Sequence, residues 1–179
     1  KLYAQDAGKR AVSSHLERLS DRFILKEVCG GAFHVPRFVV RDEPLVSILI
    51  STRNHLDVLR RCAESLEKTT YRNYEIVIID NQSDDDETLR YLRALEQSGV
   101  ARVLRYDHPF NYSALHNWAV PQSHGEFLCL LNNDTEVISS EWLDVMLGLA
   151  QRPGIGAVGA KLLYPNNTVQ HAGVITGIG

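Results

Sequence analysis

The stretch FLCLLNNDTEV, residues 127–137, decides how the chain is read. Phe127 to Leu131 are apolar and match the length of a buried strand. The run then ends in Asn132, Asn133, Asp134 and Thr135, which are two amides, a carboxylate and a hydroxyl. A turn accounts for such an ending, because Asn and Asp tolerate turn geometry and bond to their own backbone. A ligand site accounts for it as well, because open α/β sheets bind ligands just beyond the carboxyl ends of their strands.

The flanking segments repeat the pattern. LVSILIS (45–51), YEIVIID (74–80), ARVLRYD (101–107) and EFLCLLN (126–132) read as four strands; LVSILIS is a continuous apolar run of the kind covered on both faces, and YEIVIID is a second buried strand. Between them lie helical patterns. HLDVLRRCAESLEKT (55–69) carries Leu56, Leu59, Cys62, Ala63 and Leu66 on one stripe. DDDETLRYLRALEQSG (84–99) has acids in its first turn and Gly99 as its stop. NYSALHNWAVPQS (111–123) is a helix interrupted by Pro121. SSEWLDVMLGLAQRPG (139–154) is a helix with a serine cap and a Pro-Gly exit. AVGAKLLY (157–164) reads as a fifth strand, and VQHAGVITG (169–177) as the start of another. The alternation predicts an α/β fold of three layers, α/β/α, with a mostly parallel central sheet. Right-handed crossovers then bring every carboxyl end to one edge. Thr52, Arg53 and Asn54, then Asp80, Asn81, Ser83 and Asp84, then Asp107, His108 and Asn111, then Asn132, Asn133 and Asp134 all fall there. One such cluster is a loop; four make a candidate site.

Residues 1–43 read differently. GKRAVSSHLERLSDR (8–22) has a helical stripe of Ala11, Val12, Leu16 and Leu19, and FILKEVC (23–29) and FHVPRFVV (33–40) read as short strands around Gly30 and Gly31. The expected organisation is an N-terminal region, 1–43, serving as a linker or the remnant of a preceding region, followed by a domain over 44–179. The termini suggest a piece of a longer protein.

Composition narrows the function classes. The chain has 179 residues, 44% hydrophobic and 23% charged, which is a globular composition. The 19 basic and 22 acidic residues give a net charge of −3, so no basic excess points to nucleic acid. No apolar run approaches the roughly 20 residues that span a bilayer, and the first residues lack the apolar core of a signal peptide. A cytoplasmic protein is expected. The three cysteines form no C-x-x-C pair and read as free buried thiols, and the seven histidines show no zinc-site spacing. The Asn-x-Ser/Thr triplets at Asn81, Asn111, Asn133 and Asn166 read as chance matches.

PLVSILISTRN (44–54), YEIVIIDNQSDDDE (74–87), FNYSALHNWAV (110–120) and LLNNDTEV (130–137), in this order and spacing, resemble the nucleotide-sugar half of a family 2 glycosyltransferase with the GT-A fold. KLLYPNNTVQHAGV (161–174) resembles a stretch of the bacterial rhamnosyltransferase-like members. The resemblance covers about Pro44 to Gly179. It implies inverting transfer of a sugar from a nucleoside diphosphate-sugar to a saccharide or lipid-linked acceptor hydroxyl, in bacterial cell-surface polysaccharide synthesis. It also implies peripheral work at the inner face of the cytoplasmic membrane. LLNNDTEV resembles the family's metal-binding Asp-x-Asp signature, which makes Asp134 and Asn132 the implied ligands of Mg²⁺ or Mn²⁺. The first acidic position of that signature is Asn132 here, and an amide carbonyl is a neutral, weaker ligand. By the resemblance, Asp80 and Asn81 lie beside the nucleobase, with an acceptor facing the ring N–H. Thr52 and Arg53 lie near base and ribose, and the helix face of Asn111, Ser113 and Asn117 approaches the nucleotide. Ser83 and Asn133 complete the implied nucleotide-sugar set. The general base is expected beyond residue 179.

Plainer alternatives stand beside these roles: an Asx turn for Asp134, a strand-end or capping acid for Asp80, a surface arginine for Arg53, and helix caps for Ser83 and Asp84. A solvated helix face is the plainer alternative for Asn111, Ser113 and Asn117. His171 reads as structural, with an approach to the acceptor as the alternative. Two other classes remain. A dinucleotide-dependent oxidoreductase is disfavoured, because GIGAVG (154–159) matches G-x-G-x-x-G but follows a helix and opens a strand. A non-catalytic interaction module would show a fully apolar exposed face on the helix from Ala11 to Leu19.

Overall fold

A computed structural model describes residues 2–19 and 22–174. Ser20 and Asp21 of the first helical pattern, and Ile175–Gly177 of the last expected strand, lie outside the described residues. In chain order the elements are α1 (Leu2–Arg18), β1 (Phe23–Val28), β2 (Phe33–Phe38), β3 (Val46–Thr52), α2 (Leu56–Leu66), β4 (Tyr74–Asp80), α3 (Asp86–Gln97) and β5 (Arg102–Arg105). There follow α4 (Tyr112–Ala119), a 3₁₀ turn (Val120–Gln122), β6 (Phe127–Asn132), α5 (Trp142–Ala150), β7 (Leu162–Leu163) and β8 (Val169–His171). The chain divides into two compact units, Asp42–Glu141 and Lys1–Arg41 with Trp142–Gly179. This division differs from the sequence boundary at 43/44, because the last 38 residues group with the first 41.

In the unit Asp42–Glu141 the sheet order is β5-β4-β3-β6, all parallel. The order explains the layers. The steps β3 to β4 and β4 to β5 run one way across the sheet, so right-handed crossovers put α2 and α3 on one face. The step from β5 back to β6 runs the other way, which puts α4 on the opposite face. The packing agrees: Leu115 and Ala119 of α4 form a buried cluster with Leu49, Val77 and Ile79 of the sheet and with Tyr106. Ile48, Ile50, Ile76 and Ile78 alternate to the other face and are buried, as are Leu59, Cys62 and Leu66 of α2 and Leu92 of α3. The three-layer α/β/α fold expected from the sequence is therefore present.

Two expectations need correction. The FLCLLN strand is not buried as its apolar run suggests: Leu128 and Leu130 are 46% and 49% exposed. They share the face of Leu49, where α4 covers β3, β4 and β5 while β6 lies at the sheet edge. AVGAKLLY does not extend the parallel sheet. It yields only β7, paired antiparallel with β8. Gly154–Gly159 is followed by irregular chain and not by a helix, which removes the dinucleotide-binding motif.

In the other unit, β1 and β2 pair antiparallel across a turn with positive φ at Cys29, Gly30 and Gly31. α1 is tied to the hairpin by Lys9 to Glu27 at 2.8 Å and by His34 Nε2 to the Gln5 carbonyl at 3.1 Å. The stripe foreseen on α1 is only partly buried, with Leu16 at 7% and Leu19 at 54% exposure. Ala11 is exposed and Val12 half-buried, so no continuous apolar face is offered by this helix. The cysteines are free, but Cys29 is exposed, while Cys62 is buried and Cys129 half-buried. Burial pushes the Cys62 thiol up and the Cys129 thiol up to about 12. Only the thiolate is nucleophilic, so Cys29 is expected to alkylate with iodoacetamide at pH 7.5, with Cys62 and Cys129 reacting after denaturation, as read by peptide mass spectrometry.

A hub at the amino edge of the parallel sheet holds its strands level. Ser47 Oγ donates to Glu75 at 2.6 Å and accepts from the Gly125 amide at 2.8 Å. Glu75 also accepts from the His124 amide at 2.6 Å and from Arg102 at 3.1 Å. Gly125 leaves no room for a side chain: a Cβ there would fall against the Ser47 backbone nitrogen. Burial pushes the Glu75 carboxyl up, but the bonds from Ser47, His124 and Arg102 outweigh it and hold the carboxyl down at about 2, against an ordinary 4.5. A folded value below the unfolded one stabilises above pH 4.5, and that stability is lost as pH falls toward 2. After allowance for the exposed partners, the contribution is about 2 kcal/mol. Glu75→Gln is expected to lower the urea-unfolding free energy at pH 7 by about that much, and equal midpoints for variant and wild type would remove the hub's role.

Candidate functional site

The register of the sheet builds the candidate site within the unit Asp42–Glu141. Thr52 pairs with Asp80, Asp80 with Arg105, and Ser51 with Asn132, so four strands end at nearly one level. The strand order reverses direction between β3 and β6, the kind of switch point at which two loops diverge and leave a crevice. Across it, the Asn133 side-chain amide donates to Thr52 Oγ at 3.1 Å. Thr52 Oγ in turn donates to the Asn54 carbonyl at 3.3 Å.

The NNDT stretch is a turn, but not an Asx turn. The Thr135 hydroxyl donates to the Asn132 carbonyl at 2.7 Å and closes it. The side chains of Asn132 and Asp134 are left exposed, with no hydrogen bond or ion pair among the described residues. At the end of this edge strand the turn is closed by Thr135, which leaves Asp134 uncommitted.

At the end of β4 the polar groups are committed. Asp80 and Asn81 are each 2% exposed. Asp80 accepts from the Ser83 amide at 3.0 Å and from Arg105 Nη1 at 2.6 Å. Asn81 donates to the carbonyls of Tyr106 at 3.1 Å and His108 at 2.8 Å, and its own Oδ1 is buried without a partner among the described residues. Ser83 Oγ accepts from the Asn54 amide at 2.8 Å. Neither Ser83 nor Asp84 caps α3, as the sequence alternative had it. Asp85 does, accepting from the Thr88 amide at 2.8 Å, and that bond pulls its carboxyl below the ordinary range.

Asn111 caps α4 by accepting from the Ala114 amide at 2.9 Å. Ser113 and Asn117, one turn apart on the same helix, are exposed. Arg53 is exposed and unpaired among the described residues. His171 lies in β8, in the other unit.

Two residues matter that the sequence left unassigned. Asn54, in the left-handed conformation at φ 53°, donates to Asp84 at 2.8 Å and accepts from the amides of Asp84 and Asp85 at 3.0 and 3.1 Å. It thereby ties the β3–α2 loop to the β4–α3 loop. Its place in the strand-end cluster is the one local signal for it. Arg105 gives its Nε to Asp107 at 2.7 Å and its Nη1 to Asp80 and to the Ser83 carbonyl at 2.9 Å. Asp107 first and Asp80 second push its pKa up.

The residues that would hold a divalent ion make an open set. No group of three or more His, Cys, Asp or Glu side chains converges among the described residues. Asp134 offers one free carboxylate and Asn132 one free amide oxygen. Such a set fits an ion whose remaining ligands come from water and substrate phosphates, the usual way Mg²⁺ is held.

The model of the family described as Glycosyl transferase family 2 matches residues 47–174. The chain belongs to that family. The sequence is 42% identical over 176 residues to the O-antigen biosynthesis protein RfbC of Myxococcus xanthus, covering 98% of this chain and 14% of that protein. It is 48% identical over 182 residues to the protein y4gI of Sinorhizobium fredii, covering 100% of this chain and 20% of that protein. The chain thus spans a fifth or less of the length of these relatives. The mannosyltransferase PcManGT from Pyrobaculum calidifontis, solved in complex with GDP-Man and Mn²⁺, superposes with a TM-score of 0.61 at 19% identity, covering 74% of this chain and 40% of that one. That likeness is one of fold, and the fold is GT-A.

The Asn54 tie generates a test. Asn54→Ala removes three side-chain hydrogen bonds and places alanine at a positive φ. Amide hydrogen exchange at Ser83–Thr88 is expected to accelerate at least about tenfold, with exchange in β3 and β4 unchanged. Unaltered exchange at Ser83–Thr88 would mean that the two loops are held by other contacts.

Proposed function

We propose that this chain forms the donor-binding part of a glycosyltransferase. The whole protein would move a sugar from a nucleoside diphosphate-sugar to an acceptor hydroxyl, with inversion, in bacterial cell-surface polysaccharide synthesis. The observation that carries the reading is the switch point between β3 and β6, where Thr52 and Asn133 meet beside the uncommitted carboxylate of Asp134. A diphosphate lying there would complete the open ligand set of Asp134 and Asn132. The relative's role in O-antigen biosynthesis supports the polysaccharide setting.

In this reading the acceptor oxygen attacks the anomeric carbon from the face opposite the diphosphate. The bond from that carbon to the phosphate oxygen breaks, and the nucleoside diphosphate leaves with the electron pair. The acceptor's proton passes to a general base outside residues 1–179. Bound Mg²⁺ or Mn²⁺ supplies stabilisation for the charge growing on the leaving phosphate. Arg53, exposed and unpaired among the described residues, adds a cation next to the same crevice. Asp80 and Asn81 shape the nucleoside site from below, by fixing the turn at Ser83 and the loop after β5, while Ser113 and Asn117 face the nucleotide from α4. The acceptor is a saccharide or lipid-linked saccharide, reached at the inner face of the membrane by peripheral association. No described helix is long and apolar enough to cross a membrane.

A thermal-shift panel of nucleoside diphosphates, with and without Mn²⁺, tests the reading. A rise in Tm with at least one nucleotide is expected, larger when Mn²⁺ is present. Saturation at about 100 times Kd corresponds to about 2.7 kcal/mol of added stability, or several degrees. Asp134→Ala is expected to keep the unliganded Tm and to lose the Mn²⁺-dependent part. A flat panel for the wild-type chain would contradict the proposal.

A further inference from the structure

Arg105 is anchored at three points and still has donors to spare. Nε and Nη1 are engaged by Asp107, Asp80 and the Ser83 carbonyl, whereas Nη2 makes no hydrogen bond among the described residues. The Arg105 side chain is 43% exposed, while its partner Asp80 is only 3% exposed. The guanidinium is therefore fixed from beneath and open at its tip. A guanidinium is planar and carries only donors. Two Nη2 N–H groups held this way can meet an acceptor and cannot satisfy a donor.

The place of Arg105 in the sheet says which part of the ligand it meets. β5 is the outer strand, with β4 and β3 between it and β6. Three strand spacings separate the Arg105 end from the Asn132 end, about 14 Å. If the diphosphate lies at Asp134, the nucleoside runs across the ends of β3 and β4 and delivers its base to β5. This step rests on the proposed function above.

We propose that Arg105 selects the nucleobase: its free Nη2 donates to a ring carbonyl, so the site takes nucleoside diphosphates with a keto base (uracil, thymine or guanine) and rejects those with an amino group there (cytosine or adenine). The C4 carbonyl of uracil or thymine, or the C6 carbonyl of guanine, accepts the bond. The amino group of cytosine or adenine sets donor against donor and leaves the Nη2 N–H groups without an acceptor on the base.

The test is titration calorimetry of the 179-residue chain with UDP, dTDP, GDP, CDP and ADP in the presence of Mg²⁺. At least one keto nucleotide is expected to bind about tenfold or more tighter than CDP and ADP. Arg105→Lys keeps a cation beside Asp80, so the buried carboxylate stays paired, but it removes the planar second nitrogen. In this variant the keto nucleotide is expected to weaken selectively, until the keto-to-amino ratio falls within about threefold. A purely structural role would weaken all bases alike, and that result in the variant overturns the proposal. Equal affinities for keto and amino nucleotides in the wild type overturn it too, while leaving the donor-binding reading intact. Absence of binding by every nucleotide overturns both.

Discussion

Parallel pairing without a register slip is the constraint on which the candidate site depends. Side chains alternate along a strand, so a shift of one residue in β3 would turn Thr52 to the other face and part it from Asn133. The ladder runs unbroken from Val46 with Tyr74 to Thr52 with Asp80. It is pinned at its other end by Ser47, whose hydroxyl joins Glu75 of β4 to the Gly125 amide at the entry of β6. The polar cluster at the amino edge thus sets the level at which the strands finish at the carboxyl edge, one strand length away. It works because Gly125 lets the backbone come close enough for the bond to form.

The charge distribution at the carboxyl edge follows a division of labour. Asp80 is buried and neutralised by Arg105, Asp85 is spent on a helix cap, and Asp84 is bound by Asn54. Of these strand-end acids, Asp134 alone has no such partner among the described residues. With Asn132 in place of a second aspartate, this pair carries half the negative charge that two aspartates would. In the proposed donor site that would weaken the grip on a lone cation but lessen repulsion of a diphosphate, so ion and nucleotide are expected to bind as a pair.

The three-layer order was legible because it is written in period and length: continuous apolar runs for β3 and β4, a stripe on α2, and Pro121 at the end of α4. The edge position of β6 was not legible, because Leu128 and Leu130 look the same in sequence whether or not a helix covers them. Nor was AVGAKLLY, whose apolar residues suit a strand although they pair only with β8. In the site, strand-end polar residues were readable as a class, but their tasks were not. Whether Ser83 or Asp85 caps α3 turns on backbone angles, and the pairing of Arg105 with Asp80 spans 25 residues. A lone arginine ending a strand carries no local mark of that partner.

The most direct measurement is a ¹H–¹⁵N NMR titration of the chain with a nucleoside diphosphate and Mg²⁺. A crevice at the strand ends predicts amide shifts concentrated at residues 52–54, 80–85 and 132–135, with those on the outer faces of α2 and α3 unmoved. Shifts confined to the surface of α2 and α3, where Leu56, Arg60 and Tyr91 line a shallow groove, or scattered evenly over both compact units, would contradict it.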